Sequence, residues 1–143
     1  MKPSEKEALE MITEMCHQLI VVFAEEHGVN QEDLNIQINL ENLFATPIFG
    51  ILDKKRPLRK TDAKGLLKSS DIEPEMVMIV AEHVKTFIQE IFTNRLRFHK
   101  ITDCKEVFMI LSLKEFGGIL TPAIRVYRNN RLLETEPIGN ILG

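Results

Sequence analysis

The residues best suited to chemistry in this chain are cations. Within Asp53–Lys68 it places Lys54, Lys55, Arg56, Arg59 and Lys60 in close succession, with Lys64 and Lys68 following. Like charges this close repel one another, so a compact fold has little structural use for them. An anionic surface does use them: guanidinium forks grip carboxylate or phosphate oxygens bidentately, and lysines add point charge. A second cationic group, Arg95, Arg97, His99 and Lys100, brackets Phe98; on one face of a strand Arg95, Arg97 and His99 would extend the same basic surface, the plainer reading being an outer strand face with Phe98 in the core. The anion-binding candidates are therefore Lys54, Lys55, Arg56, Arg59, Lys60 and Arg97. Three destinations stay open for them: nucleic-acid phosphates, an acidic protein surface, or plain solvent around a charged loop. Residues 53–68 hold no aromatic, so base stacking has no local support there.

The segment stands out because its surroundings carry the opposite sign. Residues 1–52 have a net charge of −7, 53–68 of +5, 69–94 of −4 and 95–131 of +5, within a chain of 143 residues and net −3. That balance excludes a general nucleic-acid coat and makes any polyanion affinity local.

Catalytic and metal-binding patterns are missing. His17, His27, His83 and His99 are scattered, and neither Cys16 nor Cys104 falls in a ligand spacing, so no metal or cofactor is implied. No Gly-x-Ser-x-Gly elbow or phosphate-cradling glycine loop is present. No catalytic residue is assigned. An enzyme would need a site assembled from distant residues, for which His99, Cys104 and Glu134 are the nominees.

These side chains need elements to hold them. Ser4 with Glu7 reads as a capping box, and Leu9, Ile12, Cys16, Leu19 and Phe23 recur at helical spacing up to Gly28, giving a helix over Ser4–His27. Leu34–Glu41 alternates strictly and reads as a half-buried strand; Phe44–Leu52 is a second, demoted to an edge by Pro47. Pro57 and Gly65 mark 53–68 as a basic loop, with a helical turn open to Ala63–Ser69. Asp71–Glu75 opens a second helix carrying Val77, Val80, Val84, Ile88, Ile91 and Phe92, and apolar on all sides over Met76–Ala81. Leu96, Phe98 and Ile101 give a strand alternation. Val107–Leu113 reads as a buried strand, with a helix over Cys104–Phe116 as the alternative. Asn129-Asn130 marks a tight hairpin between Ala123–Arg128 and Arg131–Pro137. The core drawn from these periods includes Phe108 and Ile110.

Ile119–Leu132, with Thr121-Pro122 ahead of a strand, a turn and a second strand, resembles the late hairpin of thioredoxin-like proteins. That resemblance implies a cis Pro122 and a thioredoxin-like sheet, but the family's Cys-x-x-Cys pair has no counterpart here.

The expected architecture is one α+β domain over 1–143: two long amphipathic helices on one face of a mostly antiparallel sheet. The N-terminus lacks a signal-peptide pattern and the longest apolar runs are too short to span a bilayer, so a cytoplasmic protein with free thiols is expected. The apolar start of the second helix suggests a homodimer. The function expected is a non-enzymatic binding or adaptor module whose basic loop meets an anionic partner, nucleic acid or acidic protein. The enzyme above and a purely structural oligomeric subunit are the alternatives.

Overall fold

A computed structural model describes residues 3–68 and 72–141. Helix α1 (Pro3–His27) is followed by strands β1 (Leu34–Asn39), β2 (Ile48–Asp53) and β3 (Arg56–Thr61) and by the short helix α2 (Ala63–Lys68). A 3-10 turn at Pro74–Met76 leads into α3 (Val77–Phe98), then β4 (Val107–Phe116), β5 (Ile119–Arg128), β6 (Arg131–Pro137) and α4 (Ile138–Ile141). The six strands form one antiparallel sheet in the order β3-β2-β1-β4-β5-β6, and with the helices they make an α+β fold. Among the described residues, no helix is long and apolar enough to cross a membrane.

Local chemistry explains the punctuation. Gly28 adopts φ +64° after α1, and Val29 N–H closes back on Ala24 C=O, a Schellman ending that a β-carbon would strain. Asn129 and Asn130 both take positive φ, the primed-turn geometry that suits the twist of β5 and β6. Gly117 and Gly118 do the same between β4 and β5. The capping box at Ser4 and the helix start at Asp71 involve side chains outside the described residues.

One sheet face holds the core. Ile36, Ile38, Phe49, Ile51, Met109, Leu111, Ile124 and Val126 cluster with Ile20 and Phe23 of α1 and Ile88, Ile91 and Phe92 of α3. Burying an aliphatic or aromatic side chain of this kind stabilises by roughly 1.5–3 kcal/mol before ordering costs. An apolar pocket of about 430 Å³ remains where α1 and α3 cross the sheet, walled by Ile12, Leu19, Val84 and Phe87.

Several expectations change; β2, for one, starts after Pro47 and lies inside the sheet rather than at its edge. Residues 53–68 are not a loop: they form the β2–β3 hairpin turn, edge strand β3 and α2. Pro57 fits because β3 is an edge, where a missing donor costs nothing, and a register shift lies beside it between Ile51 and Leu52. Arg95, Arg97 and His99 are not on a strand, since α3 runs on to Phe98. The 107–113 run is the expected strand, not the alternative helix, and Asp103 ahead of it accepts from Lys105 N–H in a tight turn. Phe108 and Ile110 leave the core, because β4 turns Val107, Met109, Leu111 and Leu113 toward the helices and its even positions away. The sheet is antiparallel throughout and Pro122 sits in β5 with a trans peptide bond, so the thioredoxin-like expectations are not met.

Candidate functional site

The sheet face turned away from the helices is open, and its register can be read in rows. Lys60, Gly50, Gln37, Ile110, Arg125 and Thr135 follow one another across the strands. One row over, Ile48, Asn39, Phe108 and Tyr127 are neighbours, and further along come Ser112 with Ala123 and Lys114 with Thr121. This face mixes polar and aromatic side chains with Ile48 and Ile110, where its opposite packs the apolar core.

Arg125 organises its centre. Its Nη2 donates to Asn35 Oδ1 at 2.7 Å and its Nη1 to the Tyr127 hydroxyl at 3.1 Å. Asn35 is on β1 and Arg125 on β5, two strand spacings or about 10 Å apart, so the guanidinium lies over β4. Beneath it, Ser112 is fully buried and its hydroxyl has no hydrogen-bond partner; Arg125 Nε is likewise buried and unpartnered. Among the described residues no carboxylate comes within ion-pair distance of Arg125. Lys114 shares the face, and burial together with the Arg125 charge holds its ammonium below the usual lysine range. A cation held by neutral partners, beside a second cation, keeps most of its field for an incoming anion.

That arrangement has a stability signature. Because the folded pKa of Lys114 lies below its unfolded value, its cost is present at neutral pH and is relieved as pH rises through the folded pKa. Lys114→Met is therefore expected to raise the neutral-pH melting temperature by about 1–3 °C. The gain should shrink as the pH is raised toward the ordinary lysine range, which a pair of thermal melts would check.

The hairpin cations reach this centre only in part. Asn35 Nδ2 donates to Lys54 C=O at 2.9 Å, tying the β2–β3 turn to the Arg125 network. Lys54 and Lys55 form that turn, Lys54 at φ +55°, and both are exposed. Arg56 pairs with Asp53 at 3.3 Å but stays solvated, a contact worth little. Lys60 projects from the open face opposite Gly50. Arg59 points to the helical side, where it donates to Gly65 C=O at 2.8 Å, meets Glu26 at 3.4 Å and lies 5.8 Å from the Phe23 ring centre. Arg97 is exposed on the last turn of α3, beside β6, about 24 Å across the sheet from β3.

Next to Arg97, two of the enzyme nominees do meet. Arg95 Nη1 donates to both Glu134 carboxylate oxygens, at 2.8 and 3.0 Å, its Nε and Nη2 donate to Asn94 Oδ1 at 3.0 and 2.8 Å, and Glu134 lies 2.9 Å from His99 Nε2. All three are largely buried, and Phe98 lies on the Arg95 guanidinium at 4.6 Å. Glu134 is spent on these two partners, and among the described residues no serine, threonine or cysteine side chain hydrogen-bonds to His99. The cluster clamps the end of α3 onto β6. Cys104 is buried in the connection before β4, where burial and Asp103 push its thiol up, away from the nucleophilic thiolate. Burial pushes Cys16 up to about 12. No metal-binding group of His, Cys, Asp and Glu occurs among the described residues.

The residues that sequence reasoning missed are Arg125, Lys114, Asn35 and Tyr127. A charge inside a strand alternation signals an outward position, but only the register brings Asn35 and Arg125 together across 90 residues. The chain matches no family model, no curated protein and no solved structure.

Proposed function

We propose that this chain is a non-enzymatic binding module whose open sheet face and basic hairpin take up an anionic partner. The observation that carries this reading is Arg125, held over the sheet by Asn35 and Tyr127, with Lys114 beside it, the Lys54-Lys55 turn tied to its Asn35 partner, and Lys60 on the same sheet face four strands away. Such a surface gains from phosphate or carboxylate without having to break an ion pair first. Two buried thiols in no disulfide suit a reducing cytoplasm.

Fluorescence anisotropy with labelled short RNA, DNA and polyglutamate across a salt series tests the reading. Wild type should bind at low salt, with affinity falling linearly in log salt. A variant with Lys54, Lys55, Arg56 and Lys60 as Gln should lose at least about tenfold in affinity and flatten the slope by up to about four. Silence of both proteins toward every polyanion at low salt would sink the proposal.

A second element of the reading is self-association. Met76 at the end of the 3-10 turn and Met78 and Ile79 at the start of α3 are exposed, as are Met11 and Met15 of α1, and Met15 reaches the apolar pocket between the two helices. A symmetric pairing of two copies would cover these residues. Light scattering should give a dimer for wild type and a monomer for the Met78→Glu, Ile79→Glu double variant. A wild-type monomer at high micromolar concentration rules this out. A dimer indifferent to salt and polyanions would favour the purely structural subunit instead.

A further inference from the structure

We infer that the groove beside Phe108 is a slot for a flat ring, and that the anionic partner is a single-stranded nucleic acid whose base fills it; this rests on the anion-binding reading above. Phe108 and Tyr127 stand on adjacent strands with their rings stacked, centres 4.9 Å apart and planes within 10°. The stacking axis therefore runs across the strands. One face of Phe108 is covered by Tyr127, and the other is turned toward β1.

On that β1 side lies a groove of about 1250 Å³, which Phe108 lines and Tyr127 does not. Its floor is kept low by Gly50, whose missing side chain leaves only the Gln37 β-carbon and carbonyl oxygen near where a β-carbon would stand. A third ring placed there continues the stack, a contact open to every base because each has a π-face.

The rim chemistry fits the rest of a nucleotide. Gln37 and Asn39 put side-chain amides along the floor; Gln37 Nε2 donates to Asn39 Oδ1 at 3.2 Å, and the remaining amide donors and acceptors can meet base edges. Lys60 and Lys105 stand at the border for phosphate. Glu41 and Glu106, from the flanking loops, are acceptors suited to exocyclic amines. The open face beyond Phe108 continues to Arg125 and Lys114, so a strand lying over it meets cations on both sides of the slot. An acidic peptide without aromatic side chains would use the cations but leave the slot empty.

The test compares a labelled oligothymidine of about ten nucleotides with an abasic oligomer of equal length and with polyglutamate. Wild type should prefer the thymidine oligomer over the abasic one by about tenfold. The fluorescence of Tyr127, the sole tyrosine in a chain without tryptophan, should change as the slot fills. Gly50→Val keeps a strand-forming residue at an ordinary backbone position and fills the floor. It should bring the ratio of oligothymidine to abasic affinity to about one with the melting temperature kept, and Phe108→Leu should do the same to the ratio while lowering the melting temperature through the lost stack on Tyr127. Equal wild-type affinity for the two oligomers, or a preference surviving in Gly50→Val, overturns the slot yet leaves the anion-binding reading standing. Polyglutamate binding as tightly as oligothymidine overturns it in favour of an acidic protein. Silence toward all three probes removes both readings.

Discussion

Glu134→Leu is expected to lower stability by about 3–5 kcal/mol, because it strands Arg95 as a buried charge without its partner. The Arg95 side chain is only 10% exposed and that of Glu134 only 11%, so solvent cannot take over the lost interaction. His99 loses its acceptor in the same step. Replacing both members, Arg95→Met with Glu134→Leu, should recover most of the loss, since an apolar pair of similar volume carries no desolvation cost. Urea titrations of the two variants and wild type give the comparison, read from midpoints at a constant slope. A single variant as stable as wild type would mean that the clamp between α3 and β6 contributes nothing.

Phe23→Ala is the second large effect, also about 3–5 kcal/mol, from a side chain with no exposed surface. Phe92→Ala should cost the same, being equally enclosed. The two should differ elsewhere. Phe23 also carries the Arg59 guanidinium, and Arg59 ties β3 to α2 through Gly65. Hydrogen exchange should therefore show β3 amides losing protection out of proportion in Phe23→Ala but not in Phe92→Ala. Equal patterns in both variants would separate Arg59 from the anchoring of the hairpin.

What the sequence makes legible follows from how each element is buried. The alternation of Leu34 to Leu40 marks a strand with one wet face, and the helical period with Gly28 marks α1 and its end. The α3 pattern is just as regular, since Val77, Ala81, Ile88, Ile91, Phe92, Arg95 and Leu96 are its buried positions. One of those positions is an arginine, so reading charge as exposure cuts the helix short and turns its last turn into a false strand. Likewise, the apolar run Val107–Leu113 names a strand without saying which residues face the helices. Phe108 was therefore hidden among core candidates. The hairpin charges could be read singly, but whether Arg59 and Lys60 share a face depends on strand register.

The strand order carries a consequence for how the molecule forms. Four of the five ladders join strands adjacent in the chain; β1 with β4 alone links residues about 70 apart. Two three-stranded meanders can thus assemble early and independently, and the entropy of loop closure falls on one late seam. The Arg125–Asn35 bond and the Phe108–Asn39 pairing both straddle that seam. Neither half alone owns the surface assigned to the partner, so a partner gripping both sides would act as a staple across the slowest-forming joint, slowing unfolding more than it speeds folding.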